Sequence, residues 1–444
     1  MSSIIKDEMK YFIETHGCQM NESDTEIIKS LLEMKGYKET GQYQHADIII
    51  VNSCSVRFKA EQRAINKLFQ YSSVKKTNPK AKIGLIGCTA QQKRETIASS
   101  IPHIDFVLGP DAYQDITKII AENSSGQLHI GCDFSDTEMY DTIVPKYLNP
   151  YSGYIPITRG CNNFCAYCIV PFTRGRERSM AFDKVIEQAN AIVDSGRQEI
   201  ILLGQNVNSY TYDGKKFHDI LAAIAGINQV KRIRFTSPHP KDFTEETIRV
   251  MAAHDNICNH IHLPLQAGAT RTLKNMNRTY TKEDYLKLVS KIRDYIPEIA
   301  LTTDIIVGFP GETEEDFRDT LDVMDQVIYD SAFMFKYSPR EGTKAAKIED
   351  NLPPEIKAER LNRIITKQKE HTLIQNKKYI GKRVEVFIES ESKKQSSEKL
   401  GRTATNKTVI IKEGKPETGS YVPVTIKDFA GVSLFGKFKK SEVS

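Results

Sequence analysis

Three cysteines lie within eight residues near the middle of the chain, where the sequence reads GCNNFCAYC. Cys161, Cys165 and Cys168 have the spacing C-x3-C-x2-C and directly follow a predicted strand. Cysteine thiolate is the usual protein ligand of iron–sulfur clusters, and three thiolates on one tight loop hold three irons of a 4Fe–4S cube. The fourth iron would stay open to a small molecule. A structural zinc site would need four protein ligands, and no further Cys or His follows at a zinc-finger spacing.

A second set of three cysteines is spread over the first hundred residues. Cys18, Cys54 and Cys88 lie 36 and 34 residues apart, and each follows a short apolar run. Parallel sheets place their functional sites at the carboxyl ends of the strands, so the three thiols would converge on one point. The alternative is that they are buried cysteines acting as small hydrophobic residues. Their polar and glycine neighbours favour a metal site. Cys132 and Cys258 belong to neither set, and we interpret both as structural.

The elements that must position these cysteines follow from the hydrophobic pattern. In the first third, apolar runs alternate with amphipathic stretches, which is typical of a parallel sheet flanked by helices. The middle third repeats a strand-then-helix pattern six times, and a charged amphipathic helix follows from about Pro353 to Lys378. The strand segments are YIPITRG, EIILLGQN, RIRFTSPH, HIHLPLQ, ALTTDIIVGFP and AFMFKYSP. The last stretch has short β-rich runs separated by glycines, as in a small β-barrel.

The predicted fold class is therefore α/β. We predict an N-terminal open parallel α/β sheet domain over residues 1–145 and a central partial (β/α)6 barrel over residues 146–378. A small C-terminal β-barrel would occupy residues 379–444.

The composition excludes several classes of protein. The N-terminus lacks the apolar core of a signal peptide, and no uncharged run approaches the roughly 18 residues that span a bilayer. We therefore expect a cytoplasmic protein without a membrane partner, in which eight cysteines do not form a disulfide framework. The segment from Asn376 onward contains fifteen Lys and Arg and eight Asp and Glu, whereas the rest of the chain has a net charge of −2. This excess of positive charge is typical of a segment that contacts phosphates, and a solvated surface explains it equally well.

The cysteine loop after the first barrel strand resembles that of the radical S-adenosylmethionine superfamily. The whole chain resembles its methylthiotransferase branch, which combines an N-terminal three-cysteine domain, a radical barrel and a C-terminal TRAM domain. Within that branch it is most similar to the MiaB-type tRNA methylthiotransferases. The stretches that carry this similarity are GCQMNESD, NSCSVR, GCTAQ, IPITRGCNNFCAYCIVPFTRGRERS and LLGQNVNSY.

The resemblance implies two 4Fe–4S clusters and S-adenosylmethionine as cofactors. One cluster would be held by Cys161, Cys165 and Cys168, and an auxiliary cluster that delivers sulfur by Cys18, Cys54 and Cys88. The implied reaction is methylthiolation of carbon 2 of N6-isopentenyladenosine next to the anticodon (nucleotide 37) of tRNA. No catalytic residue is expected beyond the cluster ligands. Two alternatives stay open: the same reaction on N6-threonylcarbamoyladenosine, and an RNA-binding iron–sulfur sensor without turnover.

The expected contacts to cofactor and substrate follow from position in the barrel, whose working residues lie just past the strand ends. Candidates to bind S-adenosylmethionine are Gln205, Ser237, Asp304 and Gly308. Candidates to contact the tRNA are Arg174, Arg176 and Arg178, because arginine suits phosphates and stacked bases. The expected partners are the tRNA anticodon stem-loop and an electron donor such as a flavodoxin-type protein. We expect a monomer.

Overall fold

The structure is a computed structural model that describes residues 8–56, 58–101, 103–122, 127–392 and 398–439. The first residues of the predicted N-terminal domain and the last ones of the predicted C-terminal domain therefore lie outside the described residues. The chain divides into two compact units. The first comprises Met1–Phe164, Cys168–Ser195 and Leu202–Gln205, and the second comprises Cys165–Tyr167, Gly196–Ile201 and Asn206–Ser444.

The first unit contains an open six-stranded sheet with the strand order β2-β1-β3-β4-β5-β6, in which every neighbouring pair is parallel. Its strands are β1 (Lys10–His16), β2 (Lys38–Glu39), β3 (Ile48–Ser53), β4 (Lys82–Ile86), β5 (Phe106–Leu108) and β6 (His129–Gly131). The helices that follow these strands are α1 (Gln19–Met34), α2 (Phe58–Tyr71), α3 (Cys88–Ser100) and α4 (Ile116–Glu122). The predicted open parallel sheet is confirmed. The short strands β2 and β6 were not predicted.

Strand β3 shows why this sheet is buried on both faces. Its first four residues are the continuous apolar run Ile-Ile-Ile-Val, and all four are fully buried. Ile48 and Ile50 pack into one hydrophobic cluster, and Ile49 and Val51 pack into another. Successive side chains of a strand point to opposite faces, so a continuous apolar run is what a strand covered by helices on both faces requires.

The central part of the chain follows the strand-then-helix pattern predicted for the partial barrel, which confirms that part of the fold class. Its strands are β7 (Ser152–Pro156), β8 (Thr158–Arg159), β9 (Arg178–Ser179), β10 (Glu199–Leu203), β11 (Thr211–Tyr212), β12 (Lys215–Lys216), β13 (Arg232–Phe235), β14 (His260–His262), β15 (Ala300–Val307) and β16 (Ser331–Lys336). Its helices are α5 (Val170–Arg174), α6 (Phe182–Asp194), α7 (Phe217–Ala225), α8 (Glu245–Ala253), α9 (Thr270–Asn275), α10 (Lys282–Tyr295), α11 (Glu314–Val327) and α12 (Pro354–Lys377).

All six predicted barrel strands are present as β7, β10, β13, β14, β15 and β16. In the second unit, β14, β15 and β16 pair in parallel in that order. The charged helix predicted from about Pro353 is α12. The two short antiparallel pairs, β8 with β9 and β11 with β12, were not predicted. Among the described helices, none combines the length and apolar character that crossing a bilayer requires.

The C-terminal part of the second unit is a closed barrel of five strands in the order β17-β18-β19-β21-β20. The strands are β17 (Arg383–Glu391), β18 (Lys399–Thr403), β19 (Thr408–Glu413), β20 (Tyr421–Ala430) and β21 (Ser433–Lys437). Alternate side chains such as Val386, Ile388, Val422 and Val424 fill its interior. The predicted β-barrel is confirmed.

The burial of β3 leads to a stability prediction. Replacing Ile50 by Ala removes a fully buried side chain from the core and should cost about 2–5 kcal/mol of unfolding free energy, because a cavity remains. Val144→Ala, at a residue that is 66% exposed, is the matched control and should change stability by about 0.5 kcal/mol or less. Denaturant unfolding followed by circular dichroism measures both. Equal effects of the two substitutions would contradict this account of the core.

Candidate metal centres

The N-terminal sheet gathers the three spaced cysteines at one edge. Strands β1, β3 and β4 are neighbours, with His16 of β1 beside Ser53 of β3 and Asn52 of β3 beside Ile86 of β4. Cys18, Cys54 and Cys88 follow these strand ends by one or two residues. The thiol of Cys54 forms a hydrogen bond with Cys18, and Cys88 interacts electrostatically with both. The predicted convergence of the three thiols is therefore present in the fold.

The contacts of these thiols separate their pKa values. The hydrogen bond from Cys54 opposes the effect of burial and, with the nearby charge of Arg174, lowers the pKa of Cys18 to about 6. The same hydrogen bond, together with burial, raises the pKa of Cys54. Cys18 also stands at the N-terminus of α1, where the backbone N–H groups of Met20 and Asn21 contribute to lowering its pKa. Cys18 is therefore the thiol of this group that carries negative charge near neutral pH.

Two buried asparagines connect the loops that carry these cysteines. The side-chain amide of Asn52 donates to the carbonyl of Asn21 at 2.8 Å and to the Thr25 hydroxyl at 2.9 Å. The amide of Asn21 donates in return to the side-chain oxygen of Asn52 at 3.0 Å, and its own oxygen accepts from the backbone N–H of Cys18 at 3.3 Å. Because both asparagines are fully buried, this network fixes the end of β3 against the start of α1.

A buried arginine contacts the third cysteine of this group. The Nε of Arg174, at the end of α5, donates to the sulfur of Cys88 at 3.1 Å, and its Nη2 pairs with Asp24 at 2.7 Å. Arg159 pairs with the other oxygen of Asp24 at 3.1 Å. All three charged side chains are at most 3% exposed. Two guanidinium groups on one carboxylate leave an excess of positive charge, which a negatively charged group beside Cys88 would balance.

These residues fit an iron–sulfur cluster better than a single metal ion. Within the described ranges, no three His, Cys, Asp or Glu side chains are arranged to hold one metal ion. A four-iron cube takes one thiolate per iron, so its ligands need not surround a common point. Moreover, the Nη1 of Arg174 is buried without a hydrogen-bond partner in the part of the chain that the structure describes. An unsatisfied donor on a guanidinium that contacts Cys88 suits an anionic group at this site.

The loop that carries the closely spaced cysteines begins at a constrained glycine. Gly160 has a φ of 79°, and a Cβ placed on it would lie 2.0 Å from the carbonyl oxygen of Arg176. The Gln205 side-chain oxygen accepts from the Gly160 N–H at 2.5 Å, and the Cys161 N–H donates to the carbonyl of Gly175 at 3.2 Å. Only glycine permits both this φ and the close approach of the backbone. Cys161 and Cys168 belong to the first unit.

The middle cysteine of this loop belongs to the second unit and has its own anchor there. The sulfur of Cys165 accepts a hydrogen bond from the Nη1 of Arg278 at 3.5 Å. Burial lowers the pKa of Arg278, but the interactions with Tyr280 and Cys165 outweigh that effect, so the pKa is raised overall. Next to Cys165, the backbone N–H of Ala166 donates to the carbonyl of Met276 at 2.8 Å. Arg174 makes the same kind of contact with Cys88, where burial raises the pKa of the thiol and the guanidinium partly opposes that effect.

The predicted cofactor contacts have different surroundings. The Nε2 of Gln205 is buried and without a partner among the described residues, so it can donate to a ligand. Ser237 is exposed and has a φ of 59°. Asp304, on β15, pairs with Nε2 of His262 at 3.2 Å. Gly308 has a φ of 70°, and its N–H donates to Glu312 at 2.9 Å. The assignment of these four residues to S-adenosylmethionine stays a prediction.

The three arginines predicted to contact tRNA also differ. Arg174 is buried against Asp24 and Cys88, so its guanidinium is not available at the surface. The guanidinium of Arg178 is 8% exposed and pairs with Asp111. Arg176 is exposed, and its guanidinium lies 4.6 Å from the centre of the Phe164 ring. Of the three, Arg176 therefore has the surroundings that RNA contact requires, while contact with tRNA itself stays a prediction.

Several residues of these sites had little signal in the sequence pattern. Asp24, Arg159 and Arg278 reach the cysteine groups only through the fold, since Asp24 and Arg174 are 150 residues apart in the chain. The available signal was the position of Asp24 and Arg174 inside the motifs GCQMNESD and RGRER. Cys132 and Cys258, interpreted as structural, are both buried, and Cys132 packs into a hydrophobic cluster.

Comparison with known families accounts for most of the chain. Residues 155–324 match the radical SAM superfamily, residues 377–439 match the TRAM domain, and residues 10–109 match an uncharacterized protein family, UPF0004. The chain is also similar in fold to TsrM from Kitasatospora setae, a radical S-adenosylmethionine methyltransferase, with a TM-score of 0.56 and 13% identity over 76% of this chain and 77% of the other.

Relatives of known name cover nearly the full length. A tRNA-2-methylthio-N(6)-dimethylallyladenosine synthase of Azobacteroides pseudotrichonymphae is 45% identical over 96% of both chains. The enzyme of the same name from Porphyromonas gingivalis W83 is 44% identical over 99% of this chain and 97% of its own. The one from Bacteroides fragilis NCTC 9343 is 43% identical over 98% and 97%.

The fold and the cysteine loop therefore define a radical S-adenosylmethionine protein with a TRAM domain at its C-terminal end. The full-length similarity is more specific. The chain belongs to the family of the tRNA-2-methylthio-N(6)-dimethylallyladenosine synthases.

The geometry at Gly160 predicts a selective loss of iron. Gly160→Ala should lose about four of the eight irons that two clusters hold, because its Cβ would displace the start of the cysteine loop. Gly196→Ala is the control, since Gly196 also has a positive φ but nothing lies within 4 Å of its Cβ position. Its strain should cost about 1 kcal/mol without affecting iron. Iron and sulfide analysis after anaerobic reconstitution measures both, and full iron in Gly160→Ala would refute the prediction.

The contacts of Cys18 predict that its thiol ionises at a lower pH than an ordinary cysteine in the cluster-free protein. Because the pKa of Cys18 is lowered to about 6, its thiolate should form as the pH rises from about 5 to 7. Thiolate absorbance in the ultraviolet should show this step in the wild type and in Cys132→Ser, but not in Cys18→Ser. A first thiol titration at about pH 8 or above in the wild type would contradict it.

Proposed function

We propose that this chain methylthiolates carbon 2 of N6-dimethylallyladenosine in tRNA, beside the anticodon. The observation that carries the proposal is the presence of two separate three-cysteine groups in a chain whose relatives, at up to 45% identity over 96% of the length, have this activity in their name. One group lies on the loop before α5, and the other lies at three neighbouring strand ends of the N-terminal sheet.

The chemistry explains why such a chain needs both groups. The C–H bond at carbon 2 of adenine has no acidic proton, so general acid–base catalysis cannot replace its hydrogen by sulfur. When bound, the loop cluster would supply the electron that cleaves S-adenosylmethionine, and the N-terminal cluster would supply the site from which sulfur is delivered. Cys161, Cys165 and Cys168 would hold the first, and Cys18, Cys54 and Cys88 the second.

Other residues of the chain would orient these groups. Gln205 holds the start of the cysteine loop through Gly160 and keeps a free amide donor for S-adenosylmethionine. Arg278 donates a hydrogen bond to the sulfur of Cys165 and so helps to orient this ligand. Asp304 is 29% exposed and paired with His262, which leaves a carboxylate able to accept from an amino or hydroxyl group of the cofactor.

Substrate binding would use the basic end of the chain and the cysteine-loop arginine that is exposed. The segment from Asn376 onward carries seven more Lys and Arg than Asp and Glu, and residues 377–439 match the TRAM domain. Arg176 offers a guanidinium for phosphate or base contact. A base in the anticodon stack must be splayed out before its carbon 2 can be reached. We further propose that the protein acts as a cytoplasmic monomer and receives electrons from a flavodoxin-type donor.

A complementation experiment tests the proposed function. A host that lacks its own methylthiotransferase should regain the 2-methylthio form of N6-dimethylallyladenosine when it expresses this chain, as measured by liquid chromatography and mass spectrometry of tRNA nucleosides. Methylthiolation of N6-threonylcarbamoyladenosine instead would overturn the assigned substrate.

A loss-of-cluster variant separates an enzyme from an RNA-binding sensor. Cys161→Ala should still bind tRNA but should form no 5′-deoxyadenosine and no methylthio product, because the loop cluster loses one of its three ligands. Cys258→Ala is the control. Cys258 is buried and belongs to neither cysteine group, so this substitution should leave turnover intact. Absence of 5′-deoxyadenosine from the reduced wild-type protein would favour the sensor.

A further inference from the structure

Arg174 has contacts that a merely structural arginine would not need. Its Nη2 pairs with Asp24 at 2.7 Å, its Nε donates to the sulfur of Cys88 at 3.1 Å, and its Nη1 is buried without a partner in the described part of the chain. The side chain is 3% exposed. One guanidinium therefore contacts both a carboxylate and a thiol, and its Nη1 forms no hydrogen bond with the described residues.

The electrostatics of this network favour negative charge beside it. Asp24 is fully buried and faces both Arg174 and Arg159, so the three side chains together carry one positive charge in excess. Tyr113 and Tyr140, which contact Asp24 and Arg159, have raised pKa values because they are buried, so they stay neutral. The negative charge near this network therefore comes from Asp111, which interacts with Arg159, and from the Cys18 thiolate. A cluster ligated by three thiolates is negatively charged overall and would balance the excess.

We propose that Arg174 is a positioning residue for the N-terminal cluster: anchored by Asp24, it holds Cys88 through Nε and donates through Nη1 to an anionic sulfur atom of the bound group. This inference rests on the proposed function, in which Cys18, Cys54 and Cys88 hold that cluster. Arg174 is thereby removed from the residues proposed to contact tRNA. Lysine could not replace it fully, since an ammonium is a point charge and lacks the planar fork that reaches two partners at once.

The test uses the full chain with Cys161, Cys165 and Cys168 replaced by Ala, so that iron reports on the N-terminal site alone. After anaerobic reconstitution, this parent should hold about four irons and as many sulfides. Adding Arg174→Gln should weaken iron retention against a chelator by about 10- to 100-fold, as expected for loss of a residue that orients a metal ligand. The reduction potential of any cluster that remains should fall, because a positive charge beside it is gone.

Arg159→Lys is the matched control. Arg159 shares the carboxylate of Asp24 and, like Arg174, has buried nitrogens without a partner among the described residues, in its case Nε and Nη1. Its other contacts are with the carbonyl of Pro110 and the ring of Tyr140, whereas Arg174 contacts a cysteine sulfur. A general disturbance of Asp24 would affect both variants alike, whereas the proposal expects iron retention, the electron paramagnetic resonance spectrum and the potential to change only when Arg174 is substituted.

Arg174→Lys tests the proposed role of Arg174 if the Arg174→Gln variant does not fold. It keeps the charge beside Asp24 but loses the hydrogen bond to Cys88, so the proposal expects an altered resonance spectrum and partial loss of iron. Parent-like iron retention, spectrum and potential in the folded Arg174 variants would overturn the inference while leaving the proposed function intact. A parent without iron would instead refute the N-terminal cluster, and this inference with it.

Discussion

Negative charge can be kept in the interior of a protein only if positive charge or hydrogen-bond donors lie beside it. This constraint explains the surroundings of the N-terminal cysteines better than packing does. Cys88 lies against the guanidinium of Arg174. Cys18 lies at the start of α1, and the pKa of its thiol is lowered. Asp24 in turn anchors the arginine. A charged neighbour alone does not mark a cluster ligand, since Cys132 interacts with Arg94 and Cys258 with Arg234. What distinguishes the N-terminal cysteines is that three of them meet at neighbouring strand ends.

The two cysteine groups are built in different ways, although each is proposed to supply three ligands to a cluster. The loop group is contiguous, so its spacing follows from eight residues of chain, and a glycine with a positive φ sets its start. The N-terminal group depends on the strand order β1-β3-β4, which places three strand ends side by side. In both groups an arginine donates to one sulfur, Arg278 to Cys165 and Arg174 to Cys88. The two groups therefore share one arrangement, in which a buried guanidinium lies beside a cysteine sulfur.

The sequence predicted those features that depend on local pattern. Continuous apolar runs such as that of β3 identified buried parallel strands, and the cysteines that follow them identified the edge at which the thiols meet. Two-residue strands such as β2 and β12 were missed because so short a segment has no periodicity. The pairing of Asp24 with Arg174 was missed because it joins residues 150 positions apart. For the same reason Arg174 was predicted to face RNA, although the fold buries it.

The central claim is that Cys18, Cys54 and Cys88 together hold an iron–sulfur cluster of their own. The most direct test is the iron and sulfide content of anaerobically reconstituted Cys54→Ala beside that of Cys132→Ala, two substitutions of buried cysteines in the same unit. The account predicts that Cys54→Ala holds about four irons fewer than the wild type, while Cys132→Ala holds the full amount. Equal iron in the two variants, or a wild type with only about four irons, would contradict it.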